Sequence, residues 1–487
     1  MTARSRILAT AGILVAAAAV RLYRLDHFSY GLDEILQGFF IQGSSHFFWK
    51  TLRFDAIHPP LDYIVARAVE TLAPADWARK IPAVLWGLGT VAALGVLVSR
   101  RAGRLAGAIA ALLLAFAPFH VRYSQEFRPY ALGLFLLVLS LLLLDRFLEK
   151  PGPLRLVGLW LSCLATMYAL YFAALVLSIA AAAMVVEDAF SRDGPRSRTA
   201  RRFLLWSPAF AGTLFLAYLP WWPVVLEAAR RPPPVPAPPL SWERLTRLLS
   251  FFLFAPDDGQ PLGRKGPFYL LLVISGLVIA WRRPRLRFLV VWPVAGFFAI
   301  EILGHLHPHW YVSRRFLPAG LVFPALAALP LAALAERRRG RPIAALLLAL
   351  VLFFDVRSLA VYFREGRADW RPLAEFLRRE SPPAERVFTE NQYSQLCTAF
   401  YLVGPQWLFE GGKRGREVLN LEGEIVRLTW SWAPGRRDWL VLAGEPRHPE
   451  LRRWAEIFPL LRFPTAEGTE LRRLDPALRD RAFAARR

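Results

Sequence analysis

Eleven apolar runs of membrane-crossing length dominate this 487-residue sequence as far as residue 359. They fall near 7–23, 81–98, 105–121, 129–146, 155–171, 172–187, 203–222, 267–282, 286–304, 316–334 and 342–359. A bilayer core takes roughly 20 apolar helical residues. Backbone in contact with lipid must satisfy its own hydrogen bonds. The expected fold class is therefore a polytopic α-helical membrane protein with about 11 transmembrane helices. The first run follows Arg4 and Arg6 and imitates a signal peptide. With so many runs behind it, it reads better as an uncleaved first span entered from a cytoplasmic start.

The basic residues test that count. Alternate connections carry Arg100, Arg101 and Arg104; Arg146, Lys150 and Arg155; Arg192, Arg196, Arg198, Arg201 and Arg202; Arg282, Arg283, Arg285 and Arg287; and Arg337, Arg338, Arg339 and Arg341. Cytoplasmic loops are the basic ones in membrane proteins. The formal net charge of +23 is thus a topological signal, and its dispersal in short clusters argues against a nucleic-acid surface. The outer face is expected to carry 24–80, the turn 122–128, the loop 223–266, the turn 305–315 and the C-terminal tail. Two cysteines, Cys163 and Cys397, imply neither a disulfide framework nor a thiolate metal site.

Two stretches of 24–80 have helical periodicity. Ile35, Leu36, Phe39 and Phe40 follow the acids Asp33 and Glu34, and a second amphipathic run starts at Pro59-Pro60. Both read as helices along the outer membrane surface. The segment RRPPPVPAPP in 223–266 reads as an extended cover. The composition shifts near Ala360, so two regions are expected: a transmembrane domain over 1–359 and a small α/β extracytoplasmic domain over 360–487. In the latter, DWRPLAEFLRRE and RHPELRRWAEIF read as helices, ERVFTE and RDWLVLAG as strands. It contains no glycine-rich phosphate loop.

Four groups of polar residues sit at span ends on the expected outer side. Asp33-Glu34 suits either helix-dipole complementation or a general base. His58 before Pro59-Pro60 suits a helix start, or a phosphate or metal contact. Arg122, Tyr123, Ser124, Gln125, Glu126, Arg128 and Tyr130 crowd one turn; Glu126 there reads either as an ion-pair partner of Arg122 or Arg128 or as a second catalytic or metal-binding acid. Arg314-Arg315, beside Trp310 and Tyr311, goes against the charge bias; paired guanidinium groups at a membrane surface suit a phosphate. His305, His307 and His309 alternate, a weak metal pattern, and the aromatic belt explains the same stretch without a ligand.

As an ordered set these motifs resemble the GT-C superfamily over roughly 30–360. They are an acidic pair after the first span, HPPL about 25 residues later, SQE-RPYAL after the third run and RR-FLPA before a late span. The branch is that of the protein O-mannosyltransferases and lipid A aminoarabinose transferases, and the DWRPLAEFLR stretch is similar to the extracytoplasmic domain of bacterial members. The resemblance implies an inverting glycosyltransferase in a bacterial inner membrane, with its active site on the periplasmic side. Its donor is a polyprenyl-phosphate sugar; its acceptor is a lipid, glycan or protein. Asp33 is implied as the base for the acceptor hydroxyl, with Glu34 beside it. Glu126 is the second acid, positioning acceptor or metal, and His58 stands where some members have a lysine that touches the donor phosphate. Arg122, Tyr123, Gln125, Arg128, Tyr130, Tyr311, Arg314 and Arg315 complete the substrate-binding candidates. A divalent metal, if used, has Glu126, His307 and His309 as candidate ligands. The rival readings are a transporter or lipid-linked sugar flippase, and a non-catalytic glycan-binding scaffold. A transporter calls for ionisable residues near mid-membrane and repeat symmetry, whereas here the charges gather at span ends.

Overall fold

The structure, a computed structural model, describes residues 3–191, 194–230, 241–253, 266–306, 313–365, 369–380, 386–389, 392–404, 418–420, 438–443, 460–462 and 469–474. The helices are α1 (Ala3–Leu22), α2 (Leu32–Gln42), α3 (Ser45–Asp55), α4 (Leu61–Leu72), α5 (Asp76–Ala102), α6 (Arg104–Phe116), α7 (Pro118–Tyr123), α8 (Tyr130–Glu149), α9 (Pro153–Ala169) and α10 (Tyr171–Ala189). They continue with α11 (Pro195–Tyr218), α12 (Trp222–Arg230), α13 (Trp242–Leu253), α14 (Gly266–Arg282), α15 (Phe288–Leu306), α16 (Leu317–Gly320), α17 (Phe323–Glu336), α18 (Arg341–Glu365), α19 (Arg371–Glu380) and α20 (Gln392–Leu402). The strands are β1 (Val387–Thr389), β2 (Val418–Asn420), β3 (Asp438–Ala443), β4 (Leu460–Arg462) and β5 (Thr469–Leu474).

Every apolar run of the sequence is helical, and length separates them. Among the described residues, six stretches are long and apolar enough to cross a membrane: α5, α8, α10, α15, 313–336 and 338–364. A seventh crossing forms if α11 and α12, bent by 81° at a short break, count as one span. The remaining runs, in α1, α6, α9 and α14, give apolar helices of 10–17 residues. Among the described residues the expected eleven spans thus become six or seven by length. Between α9 and α10 the break falls at Leu170, which is extended at φ −157°. Leu170 seats against Gly133 of α8, where a Cβ would lie 2.6 Å from the Leu170 Cβ.

The described chain groups into two units. The first comprises 1–23, 52–66 and 79–364; the second comprises 24–51, 67–78 and 365–487. In the first, α17 packs between α6 and α14, and α10 packs against α8, α11 and α15. Gly276 makes the α14–α17 approach possible, since a Cβ there would sit 2.0 Å from the Leu326 carbonyl oxygen. The arginines expected to mark one membrane face also lock helices together. Arg100, Arg101 and Arg196 converge on Asp145 of α8, and Arg101 and Arg196 also reach Asp188 of α10. Both carboxylates are 1% exposed.

The second unit has a five-stranded sheet of order β2-β1-β3-β5-β4. β1 pairs in parallel with β2 and β3, and β5 pairs antiparallel with β3 and β4. The expected strands in ERVFTE and RDWLVLAG are β1 and β3, and α19 is the helix of DWRPLAEFLRRE. The expected helix over 447–458 and the proline-rich segment 231–240 lie outside the described residues. Arg371 ties 26–30 into this unit by donating to the Asp26 and His27 carbonyls while paired with Asp369. Trp370 N–H donates to Ser29 Oγ, and the Tyr401 hydroxyl accepts from Tyr30 N–H at 2.7 Å. Gly38 of α2 leaves room for the Phe400 ring of α20.

Candidate active site

One proline shapes the polar cluster of the first unit. In an unbroken helix the Leu114 carbonyl would accept from the N–H of residue 118, and proline has none. The chain therefore leaves α6 at Phe116 and restarts at Pro118 as α7. The buried Arg21 guanidinium fills the gap, donating to the carbonyls of Ala115 at 2.9 Å and Leu114 at 3.4 Å. Its other donors meet Ala17 O, Ser124 Oγ and His120 Nδ1. All five guanidinium N–H groups are used, on three carbonyls, a hydroxyl and an imidazole nitrogen. Gln125 completes the brace: its amide donates to Arg21 O and Tyr23 O, and its Oε1 accepts from the Tyr362 hydroxyl. Sequence reasoning placed Gln125 among the substrate contacts and passed over Arg21 and His120. The readable signal was an arginine closing the first apolar run together with a proline inside the third.

That brace sets the turn 122–129, from which the other candidates project. Arg122 pairs with Glu126 at 3.2 Å, one helical turn apart, and lies over the Tyr123 ring. Tyr123 meets Tyr130 edge-on, with ring centroids 5.1 Å apart. Tyr130 in turn receives His58 edge-on at 5.6 Å and has the Arg314 guanidinium 6.0 Å from its centroid. Arg315 lies over Phe172 at the start of α10. Phe251 of α13, in a loop for which the sequence suggested only an extended cover, packs on Tyr123. His58, Arg122, Glu126 and Arg314 thus gather around Tyr123 and Tyr130, with Arg128 and Arg315 close enough to act on the His58 charge.

Burial shapes the electrostatics. His58 is 6% exposed, and its Nδ1 has no hydrogen-bond partner among the described residues. Burial first, then the charges of Arg128, Arg315 and Arg314, hold its imidazole well below its ordinary titration range. Burial likewise pushes the Tyr123 phenol well above its usual range, with Glu126 adding to the rise. The cluster combines cations that do not titrate near neutrality with an aromatic shelf, a fit for a phosphate carried on an apolar chain.

Asp33 and Glu34 belong to the second unit, on α2. Glu34 is buried and accepts from Gly31 N–H at 2.9 Å, so it caps its own helix. Asp33 is half-buried. Tyr311, His307 and His309 lie outside the described residues. Among the described residues no three His, Cys, Asp or Glu side chains converge as a metal site.

The profile of the dolichyl-phosphate-mannose-protein mannosyltransferase family matches residues 57–222, the part that carries His58 and the turn 122–130. ArnT from Cupriavidus metallidurans in the apo state superposes with a TM-score of 0.57 at 14% identity, covering 98% of this chain and 99% of its own. This is the GT-C fold. ArnT bound to undecaprenyl phosphate matches at a TM-score of 0.52 and 13% identity over 98% and 99% of the two chains. The archaeal oligosaccharyltransferase AglB from Archaeoglobus fulgidus, in complex with an inhibitory peptide and a dolichol-phosphate, matches at 0.51 and 10% identity over 90% of this chain and 69% of AglB. No curated protein sequence matches the chain. Within this fold His58 lies between α3 and α4, the turn 122–129 leads into α8, and Arg314 and Arg315 lie just before α16.

Proposed function

We propose that this chain is an inverting glycosyltransferase that moves a sugar from a polyprenyl-phosphate donor to an acceptor hydroxyl on the outer face of a bacterial inner membrane. The observation that carries this reading is the grouping of Arg128, Arg314 and Arg315 about His58, which packs on Tyr130, at the ends of helices that suit a lipid environment. Two proteins of similar fold were captured with undecaprenyl phosphate and dolichol-phosphate, the same class of ligand.

The chemistry is a single displacement. The bond between the anomeric carbon and the phosphate oxygen breaks, and its electron pair leaves with the phosphate. The acceptor oxygen bonds the opposite face of that carbon, which inverts it. The acceptor proton goes to a carboxylate, assigned to Asp33, since Glu34 is occupied as a helix cap. The phosphate gains one negative charge as it departs, and Arg128, Arg314 and Arg315 stabilise that charge. Glu126, held by Arg122, positions the acceptor side. Holding a membrane-bound donor beside its acceptor supplies proximity.

The test is sugar transfer in reconstituted membranes, from radiolabelled polyprenyl-phosphate sugars to crude envelope acceptor, comparing wild type with Asp33→Asn. Transfer by the wild type alone supports donor class and base together. Equal transfer by both moves the base to another carboxylate. No transfer from any donor by folded protein refutes the reading.

A further inference from the structure

The His58 environment is unusual for a phosphate contact. A lysine in such a place arrives charged, whereas a buried histidine amid arginines does not. Arg128 approaches from the 122–129 turn, and Arg314 and Arg315 from the turn 313–316. Tyr130 covers one edge of the ring, with Tyr123 behind it. Among the acids of the neighbouring elements, Glu126 is ion-paired to Arg122, and Asp62 lies four residues further along the chain. Buried polar atoms are normally hydrogen-bonded, and among the described residues Nδ1 of His58 has no partner.

We propose that binding of the lipid phosphodiester is coupled to uptake of one proton by His58, with Nδ1 as the receiving atom. This rests on the reading of the cluster as the donor's phosphate site. An incoming phosphate places a negative charge among three guanidinium groups, which lessens the repulsion that keeps the imidazole uncharged. Protonation also makes Nδ1 a donor for a phosphate oxygen. The proton comes from solvent, and no covalent bond changes.

The sign of the pH dependence follows. A complex that holds one more proton than the free partners weakens as pH rises, up to about tenfold per pH unit. A permanent cation in place of His58 would show no such slope.

The experiment is titration calorimetry of the full chain in nanodiscs with geranylgeranyl methyl phosphate, a prenyl phosphodiester whose single ionisation lies far below neutral pH. Binding enthalpy is compared at pH 7 in PIPES and in imidazole, whose ionisation enthalpies differ. The expected result is uptake of between about half and one proton by the wild type, with roughly three- to tenfold loss of affinity per pH unit. His58→Gln is expected to bind with no uptake, and so is His58→Lys, which keeps the charge if the glutamine variant folds poorly. Binding by the wild type with buffer-independent enthalpy overturns the proposal and leaves the phosphate site standing. Uptake that persists in His58→Gln also overturns it, moving the proton to Glu126 or Asp62. A wild type that binds no phosphodiester refutes the phosphate site itself, and the proposal with it.

Discussion

Replacing Arg21 with methionine tests the brace behind the candidate site. The change keeps much of the side-chain volume and removes all five donors. The carbonyls of Ala115 and Leu114 lose a partner that the helix break denies them locally. An orphaned buried carbonyl costs about 1–3 kcal/mol, and the 3.4 Å contact belongs at the low end, so roughly 2–4 kcal/mol is expected. The assay is reversible chemical unfolding in mixed micelles, followed by tryptophan fluorescence. Pro118→Ala sharpens it, because an alanine at 118 returns an N–H to the Leu114 carbonyl. In that background Arg21→Met should cost about 1 kcal/mol less, a coupling a double-mutant cycle measures. Unchanged stability of the single variant would refute the argument. An equal cost in both backgrounds would show that Arg21 does not act through the carbonyl that Pro118 frees.

Asp33→Asn should lower transfer by about 10²–10⁴-fold with little change in unfolding, the range for loss of a general base. Glu34→Gln should instead show up as a stability loss of a few tenths to about 1 kcal/mol in the same micelle titration, the scale of a weakened helix cap. Gly276→Ala is expected to cost about 1–3 kcal/mol because the new methyl meets backbone, whereas Gly158→Ala, with nothing within 4 Å, should be neutral or slightly stabilising. Asp145→Asn should destabilise by roughly 3–5 kcal/mol, since it leaves the buried Arg101 and the half-buried Arg196 beside a neutral amide while Asp188 remains.

Periodicity and apolar length were enough to read the helices, because a lipid-facing backbone has few alternatives. Helix ends were less readable. The break at Leu170 depends on Gly133 from another helix, and the end of α6 depends on Arg21, so neither is a local property. The site candidates divide on the same principle. The grouping of His58, Tyr130 and Arg314 followed from placing each motif at a span end. The resemblance implies Gln125 as a substrate contact; in the structure its amide hydrogen-bonds Arg21, Tyr23 and Tyr362, partners up to 237 positions away. The Arg122–Glu126 pair was visible as one of two readings, since four residues is one helical turn. Glu34 reads as a cap because the motif is local, and the structure places it there.

The brace at Arg21 also sets a schedule for biogenesis. Apart from the Ala17 carbonyl of its own helix, its partners lie 93–103 residues further along the chain. At about 5–20 residues per second, the ribosome needs roughly 5–20 s to deliver them. Until then the guanidinium, near the end of the first helix, has only water and lipid headgroups to solvate it, reached by extending along the helix toward the interface. The first helix therefore waits in the membrane, anchored at one end by a charge that the finished protein encloses, and it docks only when the third apolar run arrives to accept it.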